Sequence, residues 1–269
     1  RIVVVTALIH FVLIGLAIVL RNDVVAIGLA FLVSRLIYAA GALRALAKIV
    51  HLAGIVRNSW QVLAERFKSS TSFAVDSGAT NIFAQLDVIL VNHLAGREAA
   101  GIYFAGSRLL QGAVPFSVLL ASVHIPRFAY RLHNQSRELV RYGARILGEY
   151  VAMGLIFALA FYFIGPLFTD YFLGASYAEL NTLWLAFACF TFARFVAAGL
   201  GVQLMAMGTG FLRTFGIIFS GVITVACYWI FIPGHGIQAA PWVSTLGMAV
   251  LTLIYGYAVQ NIYRRQRNA

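Results

Sequence analysis

The sequence predicts an all-α fold, a polytopic transmembrane helix bundle with eight spans. Three observations predict it. Of 269 residues, 61% are hydrophobic and only 11% are charged, where soluble domains have about 45–50% apolar and about 25% charged residues. The apolar residues gather into eight runs, each of a length suited to a hydrocarbon core of about 30 Å. Most Lys and Arg fall in alternate connections between those runs, as the orientation rule for membrane proteins requires.

The runs are Ile2–Leu20, Val24–Leu43, Thr71–Asn92, Ala100–Ile125, Leu147–Phe168, Leu180–Leu200, Phe211–Ile232 and Ile237–Gln260. The first follows Arg1 and invites comparison with a signal peptide, but it is long for one and ends in Arg21, Asn22 and Asp23 without a small-residue cleavage site. It reads as a retained helix. The chain starts with Arg rather than Met, and upstream helices are expected to be missing. Between the second and third runs, Leu46, Ile49, Val50, Ala53, Val56, Trp60, Leu63 and Phe67 recur every three or four residues, opposite Arg44, Lys48 and His51. That spacing predicts an amphipathic helix lying in the interface.

With a cytoplasmic amino end, the inside connections hold Arg1; Arg44, Lys48, Arg57, Arg66 and Lys68; Arg127, Arg131, Arg137, Arg141 and Arg145; Arg213; and Arg264, Arg265 and Arg267. Only Arg21 and Arg97 fall outside, so the orientation is strongly biased. The net charge of +11 is thereby explained by topology, without nucleic acid. Trp184, Trp229 and Trp242 fall near outer span ends, and Trp60 and Tyr263 near the inner boundary, as aromatic belts would place them. Cys189 and Cys227 sit in apolar runs with neither zinc spacing nor a disulfide framework. No metal or cofactor is called for.

The charges inside the runs are the functional clue, because each costs about 2.5–3.5 kcal/mol on insertion scales and normally faces protein or an aqueous cavity. They are Arg35, Asp76, Asp87, Arg108 and Arg194. On a helical wheel Asp76, Thr80 and Asp87 group with Ser77, Asn81, Gln85 and Asn92, opposite Val75, Ile82, Phe83, Leu86, Ile89 and Leu90. In the next run Arg108, Gln111, Gly112, Pro115 and Ser122 share an arc. Asp87 and Arg108 lie about 9 and 12 Å from the intervening turn at 1.5 Å per residue, which predicts either a structural ion pair or a substrate or coupling role. Asp76 and Arg194 match similarly, and Arg35 has a comparable depth.

Other polar residues read more plainly. Pro115 predicts a kink, His124 an interfacial histidine and Glu149 a surface carboxylate. Gly199, Gly201, Gly208 and Gly210 predict a tight helical turn, since no strand precedes them and no P-loop lysine follows. Nothing predicts an enzyme: the longest connections lie on the basic side, and no large outer loop offers catalytic residues.

Three stretches resemble the Wzx-like polysaccharide flippases of the multidrug, oligosaccharidyl-lipid and polysaccharide exporter superfamily. In LDVILVNHLAGREAAGIYFAGSRLLQGAVPF, Asp87, Gly101, Tyr103 and Arg108 occupy motif positions; in GPLFTDYFLGASYAEL, Phe172, Gly174 and Tyr177 do; in PGHGIQAAPWVSTLG, Gly236, Ala239, Ala240 and Ser244 do. Pro241 departs from the pattern, where an Ala-like residue is usual.

The resemblance implies the C-terminal part of a two-lobed transporter of 12–14 helices. Residues 1–43 would be the last two helices of a first lobe, 44–68 a cytoplasmic amphipathic linker and 69–269 a six-helix second lobe. It implies a flippase moving an undecaprenyl-pyrophosphate-linked oligosaccharide across the bacterial cytoplasmic membrane by alternating access, coupled to Na+ or H+. Arg35, Asp76, Asp87, Arg108, Gln111 and Arg194 are the lumen and substrate candidates. A net-cationic lumen suits pyrophosphate, which the planar fork of Arg binds well. A cation-coupled multidrug antiporter of the same superfamily is the alternative.

Overall fold

A computed structural model of the chain describes residues 2–21, 23–49, 75, 78, 80, 82, 85–134 and 136–268. Its secondary structure is helical, with no strand among the described residues. The chain divides into two compact units, Arg1–Phe67 and Lys68–Ala269.

The first unit contains helix α1, Ile2–Arg21, and helix α2, Val24–Ile49. Asp23 caps α2, its Oδ1 accepting the Val25 amide at 3.3 Å, which satisfies one of the amides that a helix start leaves without a partner. The two helices meet through polar side chains at their centres. His10 Nδ1 lies 2.6 Å from Ser34 Oγ, and buried Ser34 donates onward to the Phe31 carbonyl at 2.7 Å. Arg35 is exposed, its guanidinium 4.9 Å from the Phe31 ring centroid. α2 runs to Ile49, so the start of the expected interfacial segment continues a span; residues 50–68 of that segment lie outside the described residues.

The second unit contains helix α3 over residues 85–95, α4 Arg97–Gln111, α5 Val114–Asn134 and α6 Ser136–Phe168. It continues with α7 Trp184–Ala206, α8 Gly210–His235 and α9 Ala239–Asn268. Gly96, at φ +92°, makes the turn between α3 and α4, a conformation that side chains disfavour. A π-helical turn, Thr169–Leu173, and a 3-10 segment, Ala175–Thr182, join α6 to α7.

The expected single span Ala100–Ile125 is two helices. Pro115 has no amide to bond the Gln111 carbonyl, and the Gly112 and Ala113 amides tighten instead onto Leu109 and Leu110 at 3.0 and 3.1 Å. The chain therefore breaks just before the proline, and α5 then continues through Pro126 to Asn134.

Five segments of the described chain are long and apolar enough to cross a membrane: Val25–Arg44, Arg97–Leu132, Glu138–Leu173, Trp184–Ala206 and Gly210–Arg265. The last includes both α8 and α9, and Leu8–Leu20 forms a shorter apolar helix. Within a membrane, hydrophobicity gives helices little reason to prefer one another over lipid, so close packing and hydrogen bonds join them. α6 and α7 meet in that way: Gly154 faces Phe195, Gly165 faces the Trp184 indole and Gly199 faces Tyr150.

Trp184 corrects an expectation, for it is buried in this interface rather than standing in an aromatic belt. Its Nε1 donates to Thr169 Oγ1 at 3.0 Å, and that hydroxyl donates to the Gly165 carbonyl at 3.1 Å. The bulge of the helix at Thr169 supplies the partner that a buried indole needs. Trp229 and Trp242 are about half exposed. The glycine cluster divides too, with Gly199 and Gly201 packed inside α7 and Gly208, at φ +73°, turning the chain into α8.

α9 closes the unit against α7 and α6. Tyr263 donates to Gln203 Oε1 at 2.7 Å, while the Gln203 amide donates to the Gly143 carbonyl at 3.1 Å. Near the same end, Tyr255 packs beside Gly201 and Gly216 and donates to the Arg213 carbonyl at 3.0 Å.

Candidate functional site

Asp87 is where helices from across the second unit converge. Its position on α3 follows from local pattern: Val88 and Val91 turn inward with it, while Gln85, Ile89 and Asn92 are exposed. The polar half of the wheel is thus split, with the carboxylate facing protein and the amides facing out. Oδ1 accepts the Val88 amide at 2.8 Å, and Oδ2 accepts the Tyr103 hydroxyl at 3.0 Å.

Tyr103 extends the network to two further helices. Its hydroxyl lies 3.2 Å from Ser244 Oγ on α9 and 3.4 Å from the Tyr228 hydroxyl on α8, which in turn lies 2.6 Å from Ser244 Oγ. All three residues are buried among Ile102, Phe187, Ile232 and Val243. Arg194 on α7 acts on Asp87 through its charge without forming a direct ion pair. One carboxylate and three hydroxyls therefore link α3, α4, α8 and α9. Such a network specifies the helix arrangement strongly, because any member left unpaired in a low dielectric is costly.

The expected Asp87–Arg108 ion pair is absent. Similar depth is insufficient, since Arg108 follows Tyr103 by five residues, a rotation of about 140° around α4. Tyr103 faces the core and takes the carboxylate; Arg108 points away and is exposed. Its Nη1 donates to Gln111 Oε1 at 3.0 Å, and its guanidinium stands 4.5 Å from the Phe104 ring centroid. No carboxylate pairs with it among the described residues. Gly112, Pro115 and Ser122 are exposed as well.

Of the remaining candidates, Arg194 joins the Asp87 site, Gln111 joins Arg108, and Arg35 belongs to the first unit. Asp76 and its expected pairing with Arg194 lie outside the described residues. Tyr228 was not singled out from the sequence, although a tyrosine in the middle of FSGVITVACYWIF was itself a signal: its hydroxyl needs a partner at membrane depth. Ser244 was seen only as a motif position.

A second polar cluster joins α5 and α6. His124 is buried between the two helices, with Nδ1 3.0 Å from the Tyr142 hydroxyl and Nε2 2.8 Å from Glu149 Oε2. Glu149, which remains partly exposed, also accepts Arg145 Nε at 2.9 Å, and through His124 it ties α5 to α6.

Residues 2–132 are similar to a protein family described as Polysaccharide biosynthesis protein. That stretch contains Arg35, Asp76, Asp87, Arg108 and Gln111, but not Arg194. No curated protein and no solved structure matched the chain. The likeness and the apolar helices together support a multi-pass membrane protein with a transport role in polysaccharide biosynthesis.

Proposed function

We propose that the chain is part of a Wzx-like flippase that moves an undecaprenyl-pyrophosphate-linked oligosaccharide across the bacterial cytoplasmic membrane by alternating access, without enzymatic chemistry. In this reading residues 1–43 end a first lobe and 69–269 form a second. The observation that carries the substrate class is Arg108: an arginine within an apolar segment, exposed, steadied by Phe104 and Gln111, and paired with no acid among the described residues. An unspent guanidinium at that depth suits a pyrophosphate, whose oxygens accept its paired donors.

Asp87 favours a second reading, a cation-coupled drug antiporter, because a half-buried carboxylate amid hydroxyls suits exchange of H+ or Na+. In the flippase the same group would serve coupling, while Arg108 holds the substrate.

The test is a substitution series at Arg108 in cells. Arg108→Lys keeps the charge but loses the fork, and should export less lipid-linked glycan at equal membrane abundance; Arg108→Ala should export less still and accumulate repeat units on the cytoplasmic side. Normal export by an abundant Arg108→Ala protein, with expulsion of a cationic dye lost, would replace the flippase by the antiporter.

A further inference from the structure

We infer that the basic end of the second unit carries a collar that selects anionic phospholipid headgroups. The inference rests on the membrane reading, but not on what is transported. Three helices show the same order of exposed residues along their length. On α9 Leu253 and Tyr257 are 73% and 68% exposed, followed by exposed Arg264 and Arg265. On α5 Val118 and Leu119 precede Arg127 and Tyr130, and on α6 Arg141 and Arg145 precede Leu155 and Ile156, all exposed. Each surface passes from apolar to cationic in the same direction.

The cations also lie at one depth. Across the α5–α6 hairpin, Arg131 reaches Glu138, and His124 reaches Tyr142 and Glu149, which sets Arg127 level with the stretch from Arg141 to Arg145. Tyr263 and Gln203 hold α9 against Gly143 of that same stretch, so Arg264 follows at the same level. Arg145 is engaged by Glu149. Arg127, Arg141, Arg264 and Arg265 have no carboxylate partner among the described residues.

Four guanidiniums without a carboxylate partner among the described residues, at a similar level beyond exposed apolar side chains, match a layer of lipid phosphates. Topology alone asks only that the cations be on this side; it does not require that they share a depth or remain without acids. The occupant is a phospholipid with net negative charge, since a zwitterionic headgroup would place its own cation in the same plane.

The test uses the purified, delipidated chain returned to vesicles of phosphatidylglycerol and phosphatidylcholine, with native mass spectrometry counting the lipids that remain bound. Phosphatidylglycerol should be retained in preference, and the preference should weaken as salt rises. Replacing Arg127, Arg141, Arg264 and Arg265 together by Gln should reduce it roughly five-fold per charge. Replacement of all four by Lys should preserve most of it. Equal retention of the two lipids by the unaltered chain overturns the inference, as does an undiminished preference in the Gln variant. If the Gln variant does not fold, the unaltered chain still decides, because a preference that does not respond to salt is not electrostatic.

Discussion

Tyr103→Phe removes one oxygen and, on this structure, disconnects the centre of the second unit. The hydroxyl gives its proton to Asp87 at 3.0 Å and touches both Ser244 and Tyr228. A hydrogen bond to a charged group is worth about 1.5–3 kcal/mol in soluble proteins, while double-mutant cycles inside a membrane protein average about 0.6 and reach about 1.7 kcal/mol. Burial of Tyr103, Tyr228 and Ser244 beside a half-buried Asp87 places this bond towards the upper part of the membrane range. A cycle of Tyr103→Phe with Asp87→Asn should therefore show a coupling of about 1–1.5 kcal/mol. The matching cycle of Asp87→Asn with Arg108→Gln should be additive to within about 0.5 kcal/mol, because Arg108 leaves α4 on a different side from Tyr103, which holds Asp87. The assay is reversible unfolding of the purified chain in bicelles, followed by tryptophan fluorescence. Additivity in the first cycle together with coupling in the second would refute the assignment of Asp87 to Tyr103 and restore the ion pair expected from depth alone.

Two further outcomes are expected. Gly143→Ala would place a methyl group against the Tyr263 hydroxyl and the Gln203 side chain, so it should cost about 1–3 kcal/mol of stability, read by the same unfolding assay, with Tyr263→Phe recovering part of the loss. Cysteines introduced at Glu98 and Gly234, both exposed, should react with an impermeant thiol reagent in intact cells. Those at Gln135 and Gln266 should react only after the membrane is opened, and labelling of Gln135 in intact cells would reverse the orientation.

Much of the fold was legible because hydropathy and helix geometry are local properties. Apolar runs marked helices among the described residues, whereas Pro115 suggested a kink within one span and the chain instead breaks before it. What could not be read was azimuth. The depth of Asp87 could be counted from Gly96, but its partner depended on which side of α4 turns inward, and that is decided by Val91, Phe187 and Val243 packing around Tyr103. Trp184 failed for a related reason: its location at a helix end suggested an interface, while the glycine at Gly165 and the bulge at Thr169 made a buried place for it. Neither helix alone shows that His124 and Glu149 meet, and only the α5–α6 pairing brings them together.

The central claim is that this chain serves transport of an anionic lipid-linked glycan, and reconstitution tests it most directly. The protein that carries this chain, placed in vesicles with a fluorescent undecaprenyl-pyrophosphate oligosaccharide on one leaflet, should render that lipid accessible to a quencher on the other leaflet. Arg108→Ala should slow the transfer at equal protein content. Vesicles that leave the glycan lipid in place while taking up a cationic dye against an ion gradient would contradict the account.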